Sequence, residues 1–252
     1  MDLRLDDQVY LVTGSSSGLG FATTKELMRE GAQVAISGRS SSGVEAAVAR
    51  LGPSEKLLGI VADNSDEDAA DLLVRATLEK FGQLDGVIVS VGGPPAGYIL
   101  EVPDESWRAA FESVFLGALR LARVSSRAMA PGSSITFVLS TSVYSPIGQI
   151  AISGGLRPGL AMSARSLALE LGPTRGIRVN GILPGAFSTD RARALQQDSP
   201  ESSENADNAL SAPLGRNGEP EEFARAAAFL ASPAASYISG AMLAVDGGVL
   251  AR

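Results

Sequence analysis

Short, β-branched apolar runs alternate along this chain with longer segments of helical period. Runs with strand character are VYLVT from Val9, QVAIS from Gln33, LLGIVAD from Leu57, GVIVSV from Gly86, SITFVLS from Ser134, IRVNGIL from Ile177 and AMLAVD from Ala241. Each is nearly continuous in apolar residues, the mark of parallel strands covered on both faces. Between them, Phe21, Thr24, Leu27 and Met28 share one helical face, and Leu156, Leu160, Leu167 and Leu171 share another. The alternation predicts an α/β fold, a doubly wound seven-stranded parallel sheet with helices on both faces and right-handed crossovers. No linker or short repeat divides the chain, so residues 1–252 are expected as one domain. One polar, acidic stretch from Gln196 to Ala212 breaks the pattern after the sixth strand. A solvated loop would account for it, but its place after a strand's carboxyl end favours a lid over a pocket, at about residues 188–212.

Composition narrows the function. With 45% apolar and 19% charged residues the chain reads as globular. A net charge of −7 disfavours nucleic acid as a partner, because neutralising phosphates needs a dense basic surface. The absence of cysteine and histidine removes disulfides, thiolate nucleophiles, the usual zinc ligands and the commonest general acid–base group. No metal is expected, and a cytoplasmic location fits. The charged start runs directly into a strand, unlike a secretory signal, and no apolar run nears the roughly 20 residues that span a bilayer.

Candidate chemistry begins at Thr13–Gly20, TGSSSGLG, which follows the first strand and opens the first helix. Gly14 allows the tight turn, Gly18 lets backbone approach a pyrophosphate, and Gly20 permits close helix–strand packing. The helix-start N–H groups, among them those of Ser16, Ser17, Gly18, Leu19 and Gly20, then face the phosphates. A glycine-rich turn alone is weak evidence, but here strand and helix flank it correctly.

The TGxxxGxG spacing resembles the short-chain dehydrogenase/reductase family, a Rossmann-type fold, and further matches run to the far end. Asp63, with Asn64 beside it, resembles the family's acidic contact to the adenine amino group. Ser90, Val91 and Gly92 lie in VSVGG, at the place of the NNAG motif. Pro184, Gly185, Phe187 and Thr189 resemble the loop around the nicotinamide. The closing PLGRNGEPEEFARAAAFLASPAASYISGAMLAVDGG is similar to the family's tail, which implies a homo-oligomer, a tetramer or dimer. The second strand ends in Gly38 with Arg39, Ser40 and Ser41 following. An acid there would hold the ribose hydroxyls of NAD, whereas arginine and serine suit a 2′-phosphate. NADP(H) is therefore the expected cofactor, with NAD(H) the alternative and a bare loop arginine the plainer explanation.

At the catalytic positions the chain departs from the family. The resemblance implies a Tyr and a Lys four residues apart on one helix face, a serine thirteen residues before the tyrosine, and an asparagine upstream. Counting back from SLALELGPTRGIRVNGILPG places Ser153 and Arg157 at the Tyr and Lys positions, keeps the serine as Ser140, and puts Val114 where the asparagine would be. Serine lacks the titratable phenol, and arginine keeps a charge whose fork could hold ribose hydroxyls without shuttling protons. Tyr144, Tyr98, or water relayed through Ser140 and Ser153 could supply a proton. For either tyrosine, packing or a role as a substrate-facing wall is the plainer account. The GGPPxG run and the Ser–Arg pair are similar to a divergent subgroup of the family named 3-oxoacyl-carrier-protein reductase-like on fold grounds.

Two functions remain open at this point. One is an oxidoreductase acting on a carbonyl or alcohol of a small, largely apolar substrate. The other is a nucleotide-binding pseudoenzyme that serves as sensor or partner subunit. Non-redox chemistry on the same scaffold ranks third.

Overall fold

The seven apolar runs form one parallel sheet in the computed structural model, which describes residues 1–189 and 212–251. The strands are β1 (Val9–Val12), β2 (Gln33–Gly38), β3 (Leu57–Val61), β4 (Gly86–Val89), β5 (Ser134–Val138), β6 (Arg178–Pro184) and β7 (Met242–Val245). Their order is β3-β2-β1-β4-β5-β6-β7, so the winding reverses between β1 and β4. A crevice opens at the strands' carboxyl ends at such a point. Every named strand lies within one residue of the run expected for it, except that the sequence overran β3, β4 and β5 by two. There the apolar pattern continues into the loops that build the site.

Helices cover both faces. On one side α1 (Gly18–Arg29), α2 (Ser41–Leu51) and α7 (Pro220–Ala231) bury Leu27, Ala47, Phe223 and Ala227 against Val12, Val34 and Ile36. On the other, α3 (Ala69–Phe81), α5 (Gly117–Ala128) and α6 (Ala151–Arg175) bury Leu73, Leu121, Leu160 and Ala164 against Leu11, Ile135 and Phe137. Leu167 and Leu171 of the expected α6 face do pack partly on that core. Leu156 is not part of it; Ser153 and Arg157 take the buried positions at that end of the helix.

Two features position the site. Between α4 (Asp104–Ala110) and α5, Phe111–Leu116 forms a π-helical turn, an arrangement frequent at functional sites, and it buries Val114. Gly155 and Gly159 on α6 let that segment approach closely. A Cβ at Gly155 would lie 2.7 Å from the Trp107 ring, and one at Gly159 would lie 3.2 Å from Phe115. The second is Arg178 at the start of β6, whose buried guanidinium donates to the carbonyls of Leu230, Ala231, Ser232 and Ile238. It satisfies the orphan carbonyls at the end of α7 and ties that helix to the sheet.

Candidate active site

The glycine turn has the shape that nucleotide binding requires. Gly14 has φ 56°, and a Cβ there would meet the Ser90 carbonyl oxygen at 2.6 Å. A Cβ on Gly20 would meet the Gly14 carbonyl oxygen at 2.6 Å. Gly18, at φ 58°, is different: a Cβ there would have nothing within 4 Å and would project into open space. Ser17, the N-cap of α1, makes no side-chain cap bond, so no serine oxygen fills the start of the helix. An open turn over uncapped N–H groups fits a diphosphate. Ser15, which the sequence reading passed over, fixes the turn by donating to the Val12 carbonyl at 2.6 Å and accepting from the Ser37 N–H at 3.1 Å. Thr13 and Ser90 join β1 to β4 across the switch point, Thr13 Oγ1 donating to the Ser90 carbonyl at 2.7 Å.

Around this turn the other expected cofactor residues come to the carboxyl edge. Arg39 is exposed at the end of β2 beside Ser40. The Ser40 Oγ also caps α2 by accepting from the Gly43 N–H at 3.0 Å, so its first role is structural. Asp63 is held by Ser65, whose N–H and hydroxyl both donate to Oδ1, at 3.0 and 2.8 Å. Asn64 follows, its carbonyl so near Gly117 that a Cβ there would lie 2.0 Å away. Val91 is half-buried and Gly92 exposed beyond β4. Pro184 ends β6 half-buried, and beyond it Gly185 passes so close to Asp246 that a Cβ would lie 2.8 Å from its Cα. Thr189 donates its N–H to the Phe187 carbonyl at 2.8 Å. The Phe187 ring is buried edge-on to Phe223 at 5.7 Å, so its backbone is the part left to face a cofactor. The expected lid falls outside the described residues from 190 to 211.

At the catalytic positions, Ser140 caps the 3₁₀ turn Thr141–Val143 and accepts from the Ser142 N–H at 3.1 Å. This turn packs against α6, which carries Ser153 and Arg157. Both are buried. Arg157 Nε donates to Ser153 Oγ at 3.0 Å and Nη1 donates to the Val138 carbonyl at 2.7 Å. Two donor groups of this fork are thus directed at the protein. The i, i+4 spacing that would align a tyrosine with a lysine here aligns a hydroxyl with a cation.

Tyr144 lines a cleft beside Ala151, Gly154 and Gly155. Its hydroxyl accepts from Arg165 Nη2 at 2.9 Å, and Arg165 lies twelve residues along α6 from Ser153.

The substrate side is a cleft of about 820 Å³. Its walls are the loop of Tyr98 to Glu101, the segment from Ser142 to Gly148, and Ala151, Gly154 and Gly155 of α6. The two loops are stitched together: the Gly97 N–H donates to the Gln149 carbonyl at 2.8 Å and the Ala151 N–H to the Gly97 carbonyl at 3.2 Å. The Tyr98 ring lies over Gly148, and its hydroxyl accepts from Gln149 at 3.4 Å. Sequence reasoning named one residue of each loop, Tyr98 and Tyr144; it did not find the pairing of the loops, which depends on backbone geometry at Gly97.

A nucleotide cradle at the switch point of a 3-2-1-4-5-6-7 sheet, with buried hydroxyls beside it, defines the class of dinucleotide-dependent oxidoreductase folds. The chain belongs to the short-chain dehydrogenase/reductase family. The family described as "Enoyl-(Acyl carrier protein) reductase" matches residues 14–250. The chain is 34% identical over 254 residues to "Dehydrogenase/reductase SDR family member 4" of Caenorhabditis elegans, covering 99% of this chain and 97% of that one. Among solved structures, it is similar to L-sorbose reductase from Gluconobacter frateurii complexed with NADPH and L-sorbose, with TM-score 0.88 and 29% identity over the whole of both chains. It is also similar to a short-chain oxidoreductase from Pseudomonas aeruginosa PAO1 described as containing an atypical catalytic center, with TM-score 0.88 and 30% identity over 97% of each chain.

Proposed function

We propose that this chain is an NADP(H)-dependent oxidoreductase acting on a carbonyl or alcohol of a small, largely apolar substrate, with proton transfer that does not use a tyrosine. The observation that carries the reading is an intact nucleotide cradle beside the two buried-edge hydroxyls of Ser140 and Ser153. The nicotinamide, when bound, supplies or accepts the hydride. Ser140 already accepts from the Ser142 N–H, which leaves its own proton to donate to a substrate oxygen. Ser153 accepts from the cationic Arg157, and a hydroxyl polarised in this way gives up its proton more readily. A serine is too short to reach where a phenol would, so water relayed through Ser140 and Ser153 carries the proton. Gly14, Ser16, Ser17, Gly18, Leu19 and Gly20 hold the diphosphate; Asp63, Asn64, Ser90, Val91 and Gly92 flank the adenine side; Pro184, Gly185 and Thr189 flank the nicotinamide.

Arg39 with Ser40, in the absence of an acid at the end of β2, supports NADP(H) over NAD(H). Exposed Met162 and Leu169 on α6, and Tyr237 ahead of β7, support a homo-oligomer, a dimer or tetramer. Among the described residues no helix is long and apolar enough to cross a membrane, and a cytoplasmic location fits the cysteine-free sequence.

The test is NADPH oxidation followed at 340 nm over a panel of ketones and aldehydes, with Ser140→Ala and Ser153→Ala compared with the parent. Loss of an acid–base group should slow turnover by about 10²–10⁴-fold. Background rates across the panel would remove the enzymatic reading. Arg39→Asp should shift preference from NADP(H) to NAD(H). A second reading is a nucleotide-binding pseudoenzyme; the mutual engagement of Arg157, Ser153 and the Val138 carbonyl favours it, because that arrangement also suits a purely structural staple. Saturable nucleotide binding without turnover would select it.

A further inference from the structure

Charge is scarce in the substrate cleft. Ile99, Leu100, Val143 and Ile147 make much of its wall, and among the described residues that line it Glu101 alone is charged. The groups at this end stand open to a ligand. Glu101 is exposed, Leu100 is 96% exposed, and Tyr98 and Tyr144 are half-exposed, at 50% and 53%. A tight turn holds the carboxylate beside an aromatic ring: the Glu101 and Val102 N–H groups both donate to the Tyr98 carbonyl, at 3.0 and 3.1 Å. Tyr98 is itself seated on the opposite loop, with its ring over Gly148. Among the described residues the Glu101 carboxylate makes no ion pair and accepts no hydrogen bond. Two basic side chains of adjoining elements are engaged elsewhere. Arg108 pairs with Asp104 at 3.3 Å, and Arg165 donates to the Tyr144 hydroxyl without lining the cleft.

We propose that the cleft takes a ligand with a protonated amino group on an apolar body, the ammonium seated at Glu101. This rests on the reading of the chain as a carbonyl or alcohol oxidoreductase and names its substrate class, an amino ketone or amino alcohol. A carboxylate on the rim of an apolar wall attracts a cation and repels an anion. The negative faces of the tyrosine rings on the same wall act in the same direction. An anionic ligand would give up hydration on entering and meet no cation among the described lining residues. A cation is therefore favoured over an anion of the same shape. Because Glu101 is exposed, its share is that of a surface ion pair, about two- to fivefold in affinity and reduced by salt.

Three ketones of one shape serve as probes: 4-(aminomethyl)acetophenone as cation, 4-ethylacetophenone as neutral body and 4-acetylbenzoate as anion. Their binding to the NADP⁺-loaded protein is measured by calorimetry at pH 7, alongside the nucleotide alone. The parent should bind the cation at least fourfold more tightly than the anion, and about 0.5 M salt should shrink that ratio. Glu101→Gln should weaken the cation about two- to fivefold, strengthen the anion by a similar factor and leave the neutral ketone unchanged. Its urea midpoint should match that of the parent, because the carboxylate has no partner to lose. Shifts of the same sign in all three probes, no shift in any, or a parent that binds the anion as tightly as the cation would overturn the assignment. Absence of nucleotide binding would instead overturn the reading on which it rests.

Discussion

Gly14→Ala and Gly18→Ala separate the architecture of the phosphate turn from its binding role, because the two residues have nearly the same backbone and opposite surroundings. Both lie in the left-handed region, at φ 56° and 58°. A Cβ in that conformation costs about 1–2 kcal/mol. At Gly14 the added carbon would also lie 2.6 Å from the Ser90 carbonyl oxygen, a backbone atom that cannot swing aside. Overpacking of this kind adds about 1–3 kcal/mol, which brings Gly14→Ala to roughly 2–5 kcal/mol, a large part of the 5–15 kcal/mol typical of a folded domain. At Gly18 no heavy atom lies within 4 Å, so only the conformational strain of about 1–2 kcal/mol applies. Urea unfolding should therefore rank parent above Gly18→Ala above Gly14→Ala. Nucleotide affinity should fall at least tenfold in Gly18→Ala while the protein stays folded, because the new methyl projects where the diphosphate approaches. A Gly18→Ala protein that binds NADPH like the parent would show that the phosphates do not rest on this turn. A Gly14→Ala protein as stable as the parent would show that β1 and β4 do not close as tightly as the Ser90 contact requires.

Three other outcomes follow from particular contacts. Arg178→Met keeps the apolar stem but takes the side-chain donor from the Leu230 carbonyl, while the Ala231 carbonyl keeps Tyr10 and Ser134 and the Ser232 carbonyl keeps the Ala235 N–H. It should cost about 1–3 kcal/mol in urea unfolding, and a loss under about 0.5 kcal/mol would contradict the capping role. Tyr144→Phe removes a hydroxyl bonded to Arg165; with the proton carried through Ser140 and Ser153, kcat in the NADPH assay should stay within about twofold. A hundredfold fall would restore that phenol as the proton donor. Glu222, bonded by the Arg216 side chain and the Glu219 N–H, has its pKa lowered from 4.5 to about 2. A carboxylate with a depressed folded-state pKa contributes stability above its unfolded value and loses it as pH falls through the folded one. Stability should drop between about pH 4.5 and 2, and Glu222→Gln should flatten that part of the profile in acid-unfolding measurements.

The strands and the phosphate turn were legible in the sequence because each depends on local pattern. Continuous apolar runs specify doubly covered strands, and glycines fall where a Cβ at Gly14 or Gly20 would strike backbone. The catalytic substitutions were legible by spacing alone, and Arg157 does sit four residues from Ser153 on one helix face. What spacing could not give was the direction of long side chains. Arg157 turns toward the Val138 carbonyl, Tyr144 toward Arg165, and Phe187 into the core beside Phe223, each decided by partners distant in sequence. Arg178 and Glu101 were missed for a related reason. An arginine opening a strand and a glutamate in a loop look ordinary until the last helix or the cleft is set against them. The π-helical turn at Phe111–Leu116 leaves no mark in apolar periodicity that would distinguish it from an ordinary α-helix.

Calorimetric titration of the intact protein with NADPH and NADP⁺ bears most directly on the account as a whole. Saturable binding of one nucleotide per chain, weakened by raised salt and by Arg39→Asp, is the predicted result. Heats no larger than dilution for NADPH, NADP⁺, NADH and NAD⁺ alike would contradict it, because the Gly14–Gly20 turn would then hold no dinucleotide.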